Sequence, residues 1–287
     1  MSGLKGLLIA AVVFLLSYLG IAGNEPWYRF APPPAMPHAS ESGLAPVNGI
    51  AMYYAIYGRG RGSPILLIHG GMGNAEVWGS QIPLLAKTHE VIVADSRGHG
   101  RSNRTDAPIS YHVMAEDYVA LLDWLKISKT ALVGWSDGAI IGLDIAMHHP
   151  EHLTKLFAQA ANVTPDGLLP EPSFTLQQSD GDWDATEYRR LSPTPDDFPA
   201  FRAEIARLWK SEPNYTQADL AAIRVPTAIV LGEHDEAVRR DHSEYIARSI
   251  PGARFILLKG VGHGALYQDP AGYSAAVLAF IDGDTKT

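Results

Sequence analysis

Gly134-Trp135-Ser136-Asp137-Gly138 stands between an apolar run, Thr130-Ala131-Leu132-Val133, and a helix-like run, Ala139-Ile140-Ile141-Gly142-Leu143-Asp144-Ile145-Ala146-Met147. A strand that passes into a helix through so few residues must bend very tightly. The bend predicts a strained backbone at Ser136. It also requires small residues two before and two after, where side chains would collide, and both positions are glycine. The serine hydroxyl is then held above the end of a strand, at a helix N-terminus that favours developing negative charge.

Working outward, other apolar runs end in chemically loaded turns. Ala228-Ile229-Val230-Leu231-Gly232 reads as a buried strand leading to Glu233-His234-Asp235. Phe255-Ile256-Leu257-Leu258 reads as another, followed by Gly260-Val261-Gly262-His263-Gly264. Upstream, Ile65-Leu66-Leu67-Ile68 runs into His69-Gly70-Gly71-Met72-Gly73, a turn able to bring a backbone N–H close to a reacting carbonyl. Glu90-Val91-Ile92-Val93-Ala94 runs into Asp95-Ser96-Arg97-Gly98-His99-Gly100-Arg101-Ser102. In order and setting these motifs resemble the α/β-hydrolase superfamily of serine hydrolases, over about residues 47–282. The Ser-Asp-Gly elbow is similar to that of biphenyl-hydrolase-like esterases.

The resemblance implies a triad. Ser136 is the nucleophile, His263 the general base, and Asp235 the acid that orients the imidazole and stabilises its charged form. Glu233 and Glu236 compete locally with Asp235. The oxyanion donors are the N–H of Asp137 and one from the glycine turn, with Gly71 first and Met72 second. The Asp137 side chain has two readings: it binds a substrate ammonium or repels carboxylates, or it pairs with a polar neighbour such as Arg97. His69 is expected to support the oxyanion turn, and His99 and His234 to be structural or exposed. His148 and His149 sit at a helix end, where cationic side chains are favoured. Asp144 reads as solvated or locally paired. His263, between Gly262 and Gly264, is expected on a mobile, accessible turn. No spacing makes a metal site, and no cofactor is implied.

Composition narrows the function classes. The chain has 287 residues, 46% apolar and 19% charged, as in an ordinary globular enzyme of one large domain with an insertion. The net charge of −8 and the lack of any basic cluster exclude a nucleic-acid partner. With no cysteine, disulfides, thiolate catalysis and cysteine-ligated metals are excluded.

Four segments are expected. Residues 1–23 read as a signal peptide or membrane anchor: Lys5 precedes an uncharged run of roughly 28 Å if helical. The protein is then exported, periplasmic or secreted, or held at the membrane by residues 6–23. Residues 24–46, rich in proline, read as a tether or extended linker without core contacts. Residues 47–160 and 226–282 form an α/β core, with a mainly parallel sheet and helices on both faces. The first strands fall within 47–57. Residues 161–225 break the alternation and form a helical lid with helices near 184–190 and 196–210. Of its aromatics, Trp183, Tyr188, Phe198, Trp209 and Tyr215 are candidates to line a pocket. Trp135, Trp183 and Trp209 are taken as substrate-binding.

The leading functional expectation is hydrolysis of a carboxylic ester or related small acyl compound. Carbon–carbon-bond hydrolysis, cofactor-free perhydrolysis and non-catalytic ligand binding are the alternatives on the same scaffold. Ser136 argues against dehalogenase and epoxide-hydrolase chemistry, which use an aspartate nucleophile. Met72 stands where proline-iminopeptidase-like enzymes have proline.

Overall fold

The computed structural model describes residues 25, 27, 31–170 and 183–283. The segment 1–23 and residues 171–182 of the lid lie outside the described residues.

The apolar runs pair into one eight-stranded sheet. Its strands are β1 (Glu41–Val47), β2 (Ile50–Tyr57), β3 (Pro64–Ile68), β4 (Glu90–Ala94), β5 (Thr130–Trp135), β6 (Leu153–Gln159), β7 (Thr227–Gly232) and β8 (Arg254–Leu258). Their spatial order is β1-β2-β4-β3-β5-β6-β7-β8. From β3 to β8 all pairings are parallel, and β2 is antiparallel to both β1 and β4. Buried strands must be apolar on both faces. In β3 this is literal: Ile65 and Leu67 pack into one core, Leu66 and Ile68 into the other. Each fully buried side chain of this size contributes about 1.5–3 kcal/mol.

Helices cover both faces. On one side lie α2 (Tyr111–Trp124), α3 (Asp137–His148) and α7 (Arg240–Ser249). On the other lie α1 (Ile82–Leu85), α8 (Ala265–Gln268) and α9 (Pro270–Asp282). Between β6 and β7 the chain leaves the sheet as α4 (Trp183–Leu191), α5 (Phe198–Ser211) and α6 (Gln217–Ala222). In α5, Phe198, Phe201, Ile205 and Leu208 are buried, a helical spacing that seats the helix on the core. The α/β architecture is the one the motif order predicts.

The proline-rich segment departs from expectation. Strand structure begins at Glu41, inside the stretch read as linker, and Pro46 sits in β1 at the sheet edge, where its missing N–H is tolerated. The turn is Asn48-Gly49, both with positive φ (43° and 79°), which joins β1 to β2 as a two-residue hairpin. Asn-Gly between alternating residues is a hairpin signal, and it places the first strand before residue 47. The segment also carries core contacts. Met36 and Ala39 pack on the second core, and the Trp27 ring stacks on His234 at 3.8 Å. Proline bars regular helix there but not packing.

Two truncations separate these roles. Removal of residues 1–23 should leave the melting temperature of the remaining chain nearly unchanged. Removal of residues 1–39 should lower it by about 2–8 °C, because ~1–2 kcal/mol of packing is lost. Thermal unfolding of the two proteins checks this; equal melting temperatures would show that residues 24–39 carry no stability.

Candidate active site

The parallel strands deliver their motifs to the same edge, because the C-terminal ends of β3, β4, β5, β7 and β8 all face one way. At the end of β5, Ser136 has φ 54° and ψ −118° and forms the N-terminal boundary of α3. The neighbours explain how this conformation is held. A Cβ on Gly134 would lie 2.3 Å from the Gly138 carbonyl oxygen, and one on Gly138 would lie 2.2 Å from that of Ile68. Only hydrogen fits at either position, so β5, the turn and α3 can close on β3 as tightly as they do.

After β7, the Asp235 side chain is 1% exposed, and both its oxygens lie 3.1 Å from His263 Nδ1. Its Oδ1 also accepts from the backbone N–H groups of Ala237 and Val238. The neighbouring carboxylates are used elsewhere. Glu233 pairs with Lys259 at the surface, and Glu236 accepts the backbone N–H of His263 at 2.9 Å. Burial lowers the His263 pKa, but the facing charge and hydrogen bond of Asp235, with Glu236 and Asp137 behind it, hold it above the ordinary 6.5.

The turn carrying His263 is buried and tied down rather than exposed at the surface. His263 is 5% exposed, and its carbonyl oxygen accepts from Trp135 Nε1 (2.9 Å) and Gln159 Nε2 (3.0 Å). Trp135 thus holds the His263 loop, while its ring also reaches the cavity wall. The glycines beside His263 suggested freedom, but fixed donors from β5 and β6 remove it.

Asp137 does not pair with Arg97. Arg97 forms a buried two-pronged pair with Asp117 on α2 (2.8 and 2.6 Å). Asp137 instead accepts from the Tyr111 hydroxyl (3.0 Å) and from Trp209 Nε1 (2.9 and 3.0 Å to its two oxygens). Burial pushes its carboxyl up to about 6, against the opposing effects of these donors and of the His263 charge. Trp209 belongs to α5, so this carboxylate ties the inserted helices to the serine turn. Gly71 packs on the same group: a Cβ there would stand 2.4 Å from Asp137 Oδ2. Met72, with φ 58°, completes the turn closed by the Gly73 N–H to Gly70 carbonyl bond.

The two upstream motifs brace each other. His69 Nε2 accepts the Ser96 N–H, and its Nδ1 faces the Gly70 carbonyl, so His69 supports the glycine turn. Buried Asp95 accepts the N–H groups of Ala75 and Arg101. His99 is buried, and its ring edge meets Phe201. His234 is partly exposed beneath Trp27.

Ser136, His263, Gly71, Asp137, Trp183 and Trp209 all line one cavity of about 450 Å³. Tyr188 and Phe198, candidates for the same wall, are buried instead around Phe201. Tyr215 reaches away to Asp144. Sequence reading missed Tyr111 and Gln159, which carry no local signal because their partners are distant in the chain, and weighed Glu236 only as a competitor of Asp235, not as the acceptor of the His263 N–H. It also missed Pro33 and Pro34, which form part of the cavity wall. A cavity of this size suits a small ligand.

Comparison with known proteins agrees with the fold. The alpha/beta hydrolase family profile matches residues 65–276, and the chain belongs to that family and is a hydrolase. Serine hydrolase BPHL of Homo sapiens is 30% identical over 80% of this chain and 82% of its own. A RutD protein of Pseudomonas savastanoi pv. phaseolicola, named for carbamate hydrolysis, is 28% identical over 78% of this chain and 95% of its own. The enol-lactonase of Burkholderia xenovorans LB400 shares the fold, with a TM-score of 0.67 at 21% identity over 83% of this chain and 99% of its own.

The Asp137 tie gives a stability prediction. Trp209→Phe keeps an aromatic ring, though a smaller one, and removes the Nε1–H donor from a buried carboxylate. It should destabilise the fold by about 1–3 kcal/mol in denaturant unfolding. A change below a few tenths of a kcal/mol would show that the bond contributes nothing.

Proposed function

We propose that the protein is a serine hydrolase that cleaves a carboxylic ester or related acyl compound through an acyl-enzyme intermediate. One observation carries this reading: a serine in a left-handed conformation at a helix N-terminus shares a cavity with a histidine held by a buried aspartate. Ser136 Oγ attacks the acyl carbon while His263 takes its proton. Because Nδ1 faces Asp235, Nε2 is the nitrogen that accepts it. The developing oxyanion is held by the N–H groups of Asp137 and Gly71, each worth about 3 kcal/mol in such sites. Collapse expels the alcohol, protonated by His263, and water repeats the sequence on the acyl-enzyme. The relatives named as a serine hydrolase and a carbamate hydrolase support acyl chemistry. Trp183 and Trp209 form the apolar wall for the acyl group, with α4–α6 acting as the lid. The Asp137 carboxyl, held by the neutral donors Tyr111 and Trp209 at the cavity wall, favours neutral or cationic acyl groups over carboxylates. Residues 1–23 direct export, or hold the enzyme at a membrane, as the Lys5-led apolar run suggests.

A fluorophosphonate probe with a panel of p-nitrophenyl esters and thioesters tests the reading. Ser136→Ala should abolish labelling and reduce turnover to the residual of binding and oxyanion stabilisation. Labelling of Ser136 without ester turnover would point to carbon–carbon or perhydrolase chemistry, and absence of labelling to a binding protein. Asp235→Asn should lower kcat by roughly 10⁴ through the wrong imidazole tautomer, while Glu233→Gln stays near wild type. Reversal of that order would assign the acid to Glu233.

Activity should also depend on pH with a definite sign. His263 must be neutral to accept a proton and its pKa is held above 6.5, so kcat/KM should rise with pH through a midpoint above 6.5. A flat profile from about pH 5 to 9, with chemistry limiting, would remove His263 from the role.

A further inference from the structure

About two turns along α3 from Asp137, and outside the residues that line the cavity, three metal-ligating side chains meet. Asp144 and His148 are one turn apart on α3, and His112 enters from the first turn of α2. Asp144 Oδ1 lies 2.9 Å from His112 Nδ1 and 3.1 Å from His148 Nδ1. The two imidazole rings meet edge to face with centroids 5.0 Å apart. One ligand atom from each residue falls within 4.8 Å of the others. Ligands of a tetrahedral Zn²⁺ bound at about 2.0–2.1 Å stand roughly 3.3 Å apart, so small movements of the two imidazoles would admit the ion.

The carboxylate is the unusual member. Its side chain is 2% exposed, whereas the histidines are 56% and 48% exposed. Among the described residues, its ion-pair partners are these two histidines and no lysine or arginine. Its other oxygen accepts the Tyr215 hydroxyl at 3.0 Å, which fixes its orientation. A buried carboxylate calls for a compensating positive charge. Two half-exposed imidazoles leave an ion free to enter from solvent. Asp144 and His148 share one helix face, but two ligands do not make a site, and His112 lies 32 residues from Asp144, beyond the reach of any spacing rule.

We infer that His112, Asp144 and His148 form a binding site for a divalent transition-metal ion, of which Zn²⁺ is the natural test. Three protein ligands leave a fourth position for water. The ion would clamp α2 to α3 next to Tyr111, whose hydroxyl binds Asp137. Its role is to hold these two helices together, and it takes no part in the acyl chemistry.

The test uses the full chain stripped with chelator and titrated with ZnCl₂, and separately with Co²⁺. Wild-type protein should bind one equivalent of Zn²⁺. With Co²⁺ it should give the strong visible absorption of a four-coordinate site. Saturating Zn²⁺, about a hundredfold above Kd, should raise the melting temperature by about 5–10 °C. His112→Gln and His148→Gln should each weaken binding at least tenfold, and the double variant should lose both the equivalent and the thermal shift. These exposed histidines lie outside the catalytic cavity, so both single variants should fold and keep wild-type ester turnover. His263→Ala should retain the Zn²⁺ equivalent. Undetectable binding by wild type, or binding unchanged in the double variant, would overturn the site. Loss of the equivalent in His263→Ala would also overturn it, by placing the ion at the triad.

Discussion

The serine turn depends on a close approach of three backbone segments. Gly134, Gly138 and the carbonyl of Ile68 are packed so near that only hydrogen fits between them. The left-handed Ser136 backbone costs about 1–3 kcal/mol in such a setting. That cost is offset by β5 and α3, which are buried along almost their whole length. If β3, β5 and α3 did not press together, the serine would relax. The cavity, the oxyanion turn and the Asp137 tie would all lose their reference point.

A second constraint is the burial of acidic groups at the strand ends. Asp95, Asp137, Asp235 and Glu236 all lie out of solvent or nearly so. Desolvation disfavours each anion, and each is met differently. Asp95 takes backbone N–H groups and thereby shapes the loops after β3 and β4. Asp137 takes neutral donors from α2 and α5. Asp235 faces His263, and Glu236 holds the histidine's own backbone. The site is therefore assembled from charges that cannot be removed singly without leaving a buried partner unsatisfied.

The His263 loop shows how far such assembly reaches. It is held by Trp135 and Gln159, more than 100 residues earlier in the chain. The same two strands position the serine and the donors that fix the base, so nucleophile and base share a common mount. The Trp209 contact extends this to the inserted helices, which meet the site through one carboxylate.

Local chemistry made much of this legible. Parallel strands buried on both faces must be apolar runs, and β3, β4, β5 and β7 mark themselves in this way. The serine turn needs glycines at fixed offsets, so its position is written within five residues. The expected pairing of Asp235 with His263 came from the resemblance of their motifs to the α/β-hydrolase order, and the structure brings the two within 3.1 Å. Other features depend on partners far away in sequence. Arg97 chose Asp117 over Asp137, and Trp135 became a brace for the histidine loop. Asp144 gathered two histidines and a tyrosine, and Pro33 and Pro34 joined the cavity wall. A polar side chain's partner is set by which donors the completed fold brings within about 3 Å, and no local pattern encodes that distance. The sequence by itself determined the strands, the turns and the reactive groups; only the tertiary structure decided which of those groups meet.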